Sequence, residues 1–220
     1  MIIEFSGLDC AGKSTQINLL KTYYEGKGYH VDVIWSRGGY TPGITWLKSL
    51  VRRNGNKSPE EQTEEERMAK VNRKPQGGRL LLWLSIVDLI GYWGVFFRKW
   101  KRSDRMLFCD RYFGDTFIDF SLKYPQVRFE KWIVWKILKK CYMKPDCSFV
   151  LTITPEESMR RSKLKFEPFP EPEVKRALRL EKYMEEIKNG RWKYKVDCMR
   201  PIEEISQELK KLTDENIRNA

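Results

Sequence analysis

One short segment near the start of the chain restricts the possible fold more than any other feature. An apolar run, MIIEFS (1–6), is followed directly by GLDCAGKST (7–15), and a stretch with helical spacing comes next. The second segment fits the pattern G-x-x-x-x-G-K-[ST], whose glycines, Gly7 and Gly12, let the backbone curve closely around phosphate groups. The N–H groups of such a loop and the N-terminus of the following helix point at one anion. The chain is therefore predicted to begin with a buried strand, a phosphate-binding loop and a helix.

Two side chains of this loop match the same chemistry. Lys13 can reach the β and γ phosphates of a nucleotide, and the hydroxyl of Ser14 can bind Mg²⁺. At average residue frequencies the pattern arises by chance in about one chain of this length in a hundred. The alternative is a glycine-rich turn that binds nothing, and the strand before the loop and the helix after it argue against that alternative.

The rest of the chain alternates between strand-like and helix-like segments. Further strands are predicted at 31–35, 105–110, 147–154 and 194–197. Helices are predicted at 13–27, 43–53, from Ser58 onward, and at 80–97, 132–142, 155–163, 174–188 and 201–212. This alternation predicts an α/β fold with a parallel sheet flanked by helices on both faces. The length of 220 residues suits a single domain, 1–220.

The segment LLLWLSIVDLIGYWGVFF (80–97) is apolar enough to raise the question of a membrane span. Its length is at the lower limit for a span, and Asp88 lies near its middle. A charge at that depth costs about 2.5–3.5 kcal/mol on insertion scales. We therefore expect a buried core helix and no membrane association. Gly91 and Gly94 also allow this helix to pair with a second copy of the chain.

Composition argues against several classes of function. His30 is the only histidine, so histidine-rich metal sites and Ser–His or Cys–His catalysis are not expected. The five cysteines include no CxxC pair and the N-terminus lacks a signal-peptide pattern, so we expect a cytoplasmic protein. The net charge of +12 favours anionic partners or serves solubility. The basic run RKWKRSDR (98–105) keeps a nucleic-acid-binding or nucleotide-switch function open, but such runs are more often solvated, and no stable nucleic-acid partner is expected.

A second charged element follows the strand RMLFCD (105–110), which ends in Asp110 and is followed by Arg111. Ligands of parallel α/β sheets gather at the carboxyl ends of the strands, so these two residues are expected beside the phosphate loop. A carboxylate there can hold Mg²⁺ through water, and an arginine can bind phosphate oxygens in a bidentate manner. An ordinary ion pair at a strand end is the alternative.

Together these segments resemble the thymidylate kinase family of nucleoside monophosphate kinases. The resemblance rests on EFSGLDCAGKSTQ and CDRY, and it extends over WSRGG (35–39), GGRLLLW (77–83), LTITPEESMRRSK (151–163) and VDCMRPIEEI (196–205). It implies a three-layer P-loop NTPase fold with a small lid at about 156–175. It also implies ATP and Mg²⁺ as cofactors, nucleotide substrates, and a homodimer formed through the helix at 80–97.

The resemblance implies roles for individual residues. Those expected to bind the donor nucleotide are Gly7, Ala11, Gly12, Lys13, Ser14, Thr15, Lys163 and Cys198. Those expected to act in phosphoryl transfer are Asp9, Lys13, Arg111, Arg160 and Arg161. The acceptor is expected to contact Arg37, Trp83, Asp110 and Arg111, and Mg²⁺ to contact Ser14 and Asp110. Some family members carry a catalytic arginine at the position of Cys10, so the resemblance moves the basic role to the lid residues Arg160, Arg161, Lys163 and Lys165. A solvated basic face is the alternative.

The chain departs from the family on the acceptor side. Leu84-Ser85-Ile86-Val87 lacks the arginine with which family members read thymine. Gly38-Gly39-Tyr40 replaces the acidic residue and proline of the loop after the second strand. The leading hypothesis is ATP-dependent phosphorylation of a nucleoside monophosphate, with dTMP as the default acceptor. The alternative is a kinase with the same donor site that acts on a nucleoside or another small molecule.

Overall fold

The computed structural model describes residues 1–36, 78–98, 105–165 and 171–218. Several predictions concern residues outside these ranges. They are the helices at 43–53 and from Ser58 onward, the position of Arg37, and most of the basic run that begins at Arg98.

In the described part of the chain, five parallel strands form the central sheet, which confirms the predicted fold class. They are β1 (Ile2–Gly7), β2 (His30–Trp35), β3 (Arg105–Asp110), β4 (Cys147–Thr152) and β5 (Tyr194–Asp197). Their order in the sheet is β2-β3-β1-β4-β5. The register places Phe5 opposite Asp110 on one side and Phe149 on the other. The carboxyl ends of the three central strands therefore lie side by side.

Helices connect the strands as the sequence pattern predicts, with one addition. They are α1 (Lys13–Gly26), α2 (Gly78–Gly91), α3 (Phe113–Lys123), α4 (Ile133–Cys141), α5 (Pro155–Leu164), α6 (Glu173–Lys188) and α7 (Ile202–Arg218). A 3-10 turn, Phe129–Lys131, precedes α4. The predicted positions of α1 and α4 to α7 agree with the structure to within a few residues at most ends, and α7 extends six residues further. The addition is α3, since no helix was predicted between the strand at 105–110 and the helix at 132–142.

The two faces of the sheet pack against different helices. Ile3 and Phe5 of β1 belong to a core cluster that includes residues of α1, α6 and α7. Ile2 points the other way, into a cluster with residues of α2, α3 and α4. Alternate residues of a strand face opposite sides of the sheet, so one buried strand serves both clusters. The result is the predicted arrangement of three layers.

The apolar segment 80–97 lies in the core and changes from an α-helix to a π-helix along its length. Leu82, Ile86 and Leu89 of α2 are fully buried, and Trp93 continues this buried row inside a π-helical turn, Tyr92–Phe96. In the described part of the chain, none of the helices has the length and apolar character needed to cross a membrane. The opposite face of α2 exposes Leu80, Trp83 and Val87, and pairing of two chains through this helix stays a prediction.

Contact between α3 and the sheet is unusually close at Gly114. A Cβ atom there would lie 2.4 Å from Cζ2 of Trp192 and 3.2 Å from Oε1 of Glu4. The absent side chain thus lets the first turn of α3 approach β1. This approach positions Asp115, one residue later, beneath the phosphate-binding loop.

Candidate active site

The loop after β1 has the backbone geometry of a phosphate cradle. Gly7 has φ +136°, and a Cβ atom at this residue would lie 2.1 Å from the carbonyl oxygen of Leu151 on β4. Gly12 has φ +90° and ends the loop at the first turn of α1. Cys10 adopts φ 61°, in the left-handed region that costs a residue with a side chain roughly 1 kcal/mol or more. The loop therefore keeps a fixed curvature with its backbone close to β4.

The side chain of Lys13 folds back onto the loop. Its Nζ donates hydrogen bonds to the carbonyl oxygens of Gly7 (3.0 Å) and Leu8 (2.7 Å), and the residue is 7% exposed. Burial and the nearby Arg111 guanidinium lower the pKa of Lys13 to about 8. The ammonium group therefore lies at the centre of the loop, held by neutral carbonyl groups that a phosphate oxygen could replace.

Asp110 at the end of β3 lies opposite the start of α1. Its Oδ2 accepts a 3.4 Å hydrogen bond from the hydroxyl of Ser14, while its buried Oδ1 has no hydrogen-bond partner among the described residues. Burial raises the pKa of this carboxyl group. A buried oxygen without a partner costs free energy unless a ligand satisfies it. Asp110 and Ser14 together offer two oxygen ligands of the kind that Mg²⁺ prefers.

Arg111 is fixed between two carboxylates. It has φ 70°, which turns the chain sharply at the end of β3, and its side chain is only 5% exposed. Its guanidinium donates to Oδ1 of Asp9 in the loop and, at 3.4 Å, to Oδ1 of Asp115 on α3. Burial disfavours its charge, but the carboxylates of Asp115 and Asp9 outweigh this and raise the pKa of Arg111. A permanent positive charge is thereby held at the edge of the loop.

Asp115 is the most heavily hydrogen-bonded carboxylate near the loop. It is completely buried and accepts hydrogen bonds from Arg111, the Tyr183 hydroxyl, the Tyr112 amide (3.4 Å) and the Ser6 hydroxyl (2.5 Å). Because these donors come from β1, from α6 and from the turn between β3 and α3, Asp115 connects α3 to all three beneath the loop. Asp115 is a positioning residue that sequence reasoning did not identify.

Glu4 continues this network deeper into the sheet. Its Oε1 accepts from the Gly114 amide (3.3 Å) and lies 3.2 Å from the Ser6 hydroxyl, which also reaches Asp115. Burial and the charge of Asp115 raise the pKa of Glu4 to about 7. A hydroxyl has a single proton, so both contacts of Ser6 are favourable when Glu4 is itself protonated. A chain of hydrogen-bonded groups thus runs from Glu4 through Ser6 and Asp115 to Arg111.

Helix α5 is attached to the loop from the other side. The hydroxyl of Ser158 donates to the carbonyl oxygen of Asp9 (2.7 Å), and the fully buried Arg176 of α6 donates to Ser158 and Ser162. Thr154 caps the helix by accepting from the Glu157 amide at 3.2 Å. The base of the predicted lid is therefore anchored directly to the phosphate-binding loop.

The basic residues of α5 do not all face the same way. Arg160 and Arg161 both donate to Glu157, Arg160 from a mostly exposed position, and Arg161 also donates to the carbonyl oxygen of Cys198 (3.0 Å). Lys163 is exposed. Lys165, at the end of the helix, is the basic residue of this segment that lines the cleft beside the loop.

The cleft brings together the ends of three strands and of α5. It has a volume of about 310 Å³, and its lining residues are Asp9, Cys10, Gly12, Lys13, Ser14, Trp35, Asp110, Arg111 and Lys165. Trp35, half-exposed at the end of β2, was not among the predicted site residues, whereas Lys165 belongs to the basic group predicted for the lid. Trp35 begins the segment WSRGG (35–39), which resembles the family's acceptor loop, and this position could have identified Trp35 as a site residue.

Other predicted site residues lie elsewhere. Ala11 is buried within the loop, Thr15 is exposed on the first turn of α1, and Cys198 is buried directly after β5. Trp83 is 42% exposed on α2 and does not line the described part of the cleft. Arg37 is outside the described residues. Of the predicted site residues that the structure describes, Asp9, Gly12, Lys13, Ser14, Asp110 and Arg111 therefore line one cleft.

Comparison with known proteins gives one relative at low identity. A thymidylate kinase of Chlorobaculum tepidum is 26% identical to this chain over 169 residues, which cover 73% of the chain and 66% of that enzyme. The match thus spans less than two thirds of the relative's length. No family model matches the chain.

Proposed function

We propose that this protein is an ATP-dependent phosphotransferase that phosphorylates a nucleoside monophosphate, with dTMP as the default acceptor. One observation carries the proposal: Lys13, Ser14, Asp110 and Arg111 line one cleft at the carboxyl ends of β1 and β3. The similarity to a thymidylate kinase supports the same function.

On the donor side, the loop supplies positive charge at the phosphates. Lys13 exchanges its contacts with Gly7 and Leu8 for phosphate oxygens, while Gly12 leaves the backbone open to them. Arg111 is held by Asp9 and Asp115 at the edge of the same loop. Phosphoryl transfer needs little covalent chemistry from the protein, so positioning and charge stabilisation are the tasks of these residues.

The residues beside the loop also fit a magnesium ion. The partnerless Oδ1 of Asp110 and the hydroxyl of Ser14 are the groups that would hold it. When bound, the ion would neutralise charge on the phosphate oxygens.

On the lid side, Lys165 is the cation that lines the cleft, whereas Arg160 and Arg161 are paired with Glu157. The Ser158 contact to Asp9 keeps the start of α5 attached to the loop. Closure of this segment over the phosphates would exclude water and limit hydrolysis of ATP.

A different acceptor is the second candidate, and α2 favours it. Ile86 is completely buried, and the hydroxyl of Ser85 donates back to the carbonyl oxygen of Leu81 at 2.8 Å. Residues 84–87 therefore present no cation or hydrogen-bond donor for a base. A pocket without those groups does not select thymine by the family's means.

The direct test is an ADP-release assay with ATP and Mg²⁺ against a panel of nucleoside monophosphates, the corresponding nucleosides, and no acceptor. We expect turnover with one monophosphate, and a loss of about 10²-fold or more in the Lys13→Ala variant, because a phosphate-stabilising charge is removed. Lys21→Ala is the matched control, since Lys21 lies on the same helix and pairs with Glu25 at the surface (3.7 Å).

Full activity in Lys13→Ala would overturn the proposed donor site. Turnover of a nucleoside but of no monophosphate would select the second candidate. Arg37→Ala separates the two acceptor classes further, because an acceptor that carries a phosphate should bind more weakly to that variant and an uncharged acceptor should not.

A further inference from the structure

A second cavity lies at the opposite edge of the sheet from the phosphate-binding loop. It has a volume of about 530 Å³, larger than the cleft beside the loop. Lys144 and Pro145, which precede β4, and Arg191 and Lys193, which precede β5, form part of its wall. The amino ends of these strands therefore surround it, whereas substrates of parallel α/β sheets bind at the carboxyl ends.

The wall of this cavity carries an excess of positive charge. Four cationic side chains, Lys139, Lys144, Arg191 and Lys193, face two carboxyl groups, Glu4 and Glu186. The charges of Glu186 and Arg191 balance, because Arg191 pairs with Glu186 and its guanidinium lies 4.3 Å above the ring of Phe117. Lys139 and Lys144 are exposed and make no ion pair within the described chain. The surplus for a ligand is therefore two positive charges when Glu4 is ionised and three when Glu4 is protonated.

The floor of the cavity carries a polar group that is available to a ligand. Glu4 is 3% exposed and lines the cavity, and both of its hydrogen-bond contacts involve one oxygen, Oε1. Among the described residues no hydrogen bond goes to Oε2. Because Glu4 lines the cavity, this second carboxyl oxygen can bond to a hydroxyl or amino group of a ligand at that depth.

We propose that this cavity binds a small organic dianion of the phosphomonoester type, with its phosphate at Lys139 and Lys144 and a hydroxyl group at Glu4. The surplus charge matches a dianion. The volume exceeds the needs of a bare ion and leaves space for an organic body between the lysines and Glu4.

The site is separate from the proposed donor site but connected to it. Ser6 and Asp115 link Glu4 to Arg111 by hydrogen bonds through the interior of the protein. Binding at the cavity does not require the proposed kinase activity, so the two proposals can fail independently.

The test is calorimetric titration of the full chain with two probes, ribose 5-phosphate and inorganic phosphate. All proteins carry Lys13→Ala, which weakens anion binding at the loop. We expect saturable binding of ribose 5-phosphate that falls by about tenfold or more when Lys139→Ala and Lys144→Ala are added, because two charge-assisted contacts are lost. The matched control adds Lys136→Ala and Lys140→Ala, which remove the same charge from exposed positions of α4 that do not line the cavity.

Three results would overturn the proposal. One is the absence of saturable binding of either probe. Another is an equal loss of affinity in the two double variants, which would assign binding to general surface charge. The third is equal affinity for inorganic phosphate and ribose 5-phosphate, which would leave no contribution for a group at Glu4; Glu4→Gln would then also leave the affinity unchanged.

Discussion

Asp110 and Asp115 flank the same arginine, yet their surroundings are opposite. Asp115 is completely buried and accepts hydrogen bonds from four groups, whereas one buried oxygen of Asp110 has no partner among the described residues. A saturated carboxylate stabilises the fold, and an unsaturated one is available to a ligand. The number of hydrogen-bond partners, and not proximity to the cleft alone, therefore distinguishes a carboxylate that positions other groups from one that binds a ligand.

The largest effect is expected at the saturated carboxylate. Asp115→Asn should lower the free energy of unfolding by about 3–5 kcal/mol. The substitution removes the buried negative charge that pairs with Arg111 and accepts hydrogen bonds from the other donors. Chemical denaturation of both proteins measures this. Asp110→Asn is the control. Equal destabilisation of the two variants would show that Asp115 does not stabilise the fold more than Asp110 does.

Glu4 is intermediate between Asp115 and Asp110. It is a buried carboxyl group with hydrogen bonds to Ser6 and Gly114, but among the described residues no cation is bonded to it. Its pKa is raised from 4.5 to about 7, so the folded state keeps a proton that the unfolded state releases. Stability should therefore fall as the pH rises from about 4.5 through 7. Glu4→Gln should flatten this slope and be more stable than the original protein at pH 8 by about 2–3 kcal/mol.

Denaturation curves at pH 4 and pH 8 provide the measurement. At pH 4 the two proteins should have nearly equal stability, since Glu4 is protonated in both states or nearly so. A gain in stability that is the same at both pH values would show that the effect does not come from the titration of Glu4.

Substitution of Asp110, the carboxylate with an oxygen left unpaired within the described part of the chain, should affect ligand binding more than the stability of the fold. Asp110→Asn should change the free energy of unfolding by no more than about 1 kcal/mol, because no partner of Oδ1 is lost. In thermal melts the original protein should gain stability when Mg²⁺ is added to ATP, and this gain should be absent in the variant. Chelation of Mg²⁺ with EDTA should make the two proteins alike; an unchanged Mg²⁺ effect in Asp110→Asn would argue against this residue as a ligand.

The smallest effect is expected at a carboxylate that is saturated but close to the surface. Glu157 accepts from Arg160 and Arg161, and Arg160 is 62% exposed. Solvent screens such pairs, so Arg160→Ala should leave the melting temperature unchanged within error. Lys165→Ala should also leave the melting temperature unchanged, but it should weaken ATP binding more than Arg160→Ala does. If Arg160→Ala weakens ATP binding more, the lid cation is Arg160.

The sheet was predictable because its strands are short segments next to breaks, the clearest being the apolar run at 147–154, which is rich in β-branched residues. The phosphate-binding loop was equally visible, since its glycines, lysine and serine lie within eight consecutive residues, 7–14. Asp115 was not visible, because its partners Ser6 and Tyr183 are far away in sequence and meet it only in the fold. Helix α3 was not predicted either, although it begins only two residues after Arg111.

The contacts of Lys13 with its own loop have a consequence for the proposed nucleotide binding. The carbonyl groups of Gly7 and Leu8 compete with a phosphate for the ammonium group. The proposed phosphate binding is then an exchange reaction, and its affinity would be the difference between two sets of hydrogen bonds. A change that only shifts the backbone of residues 7 and 8 would therefore alter the affinity without changing any charge that the phosphate meets.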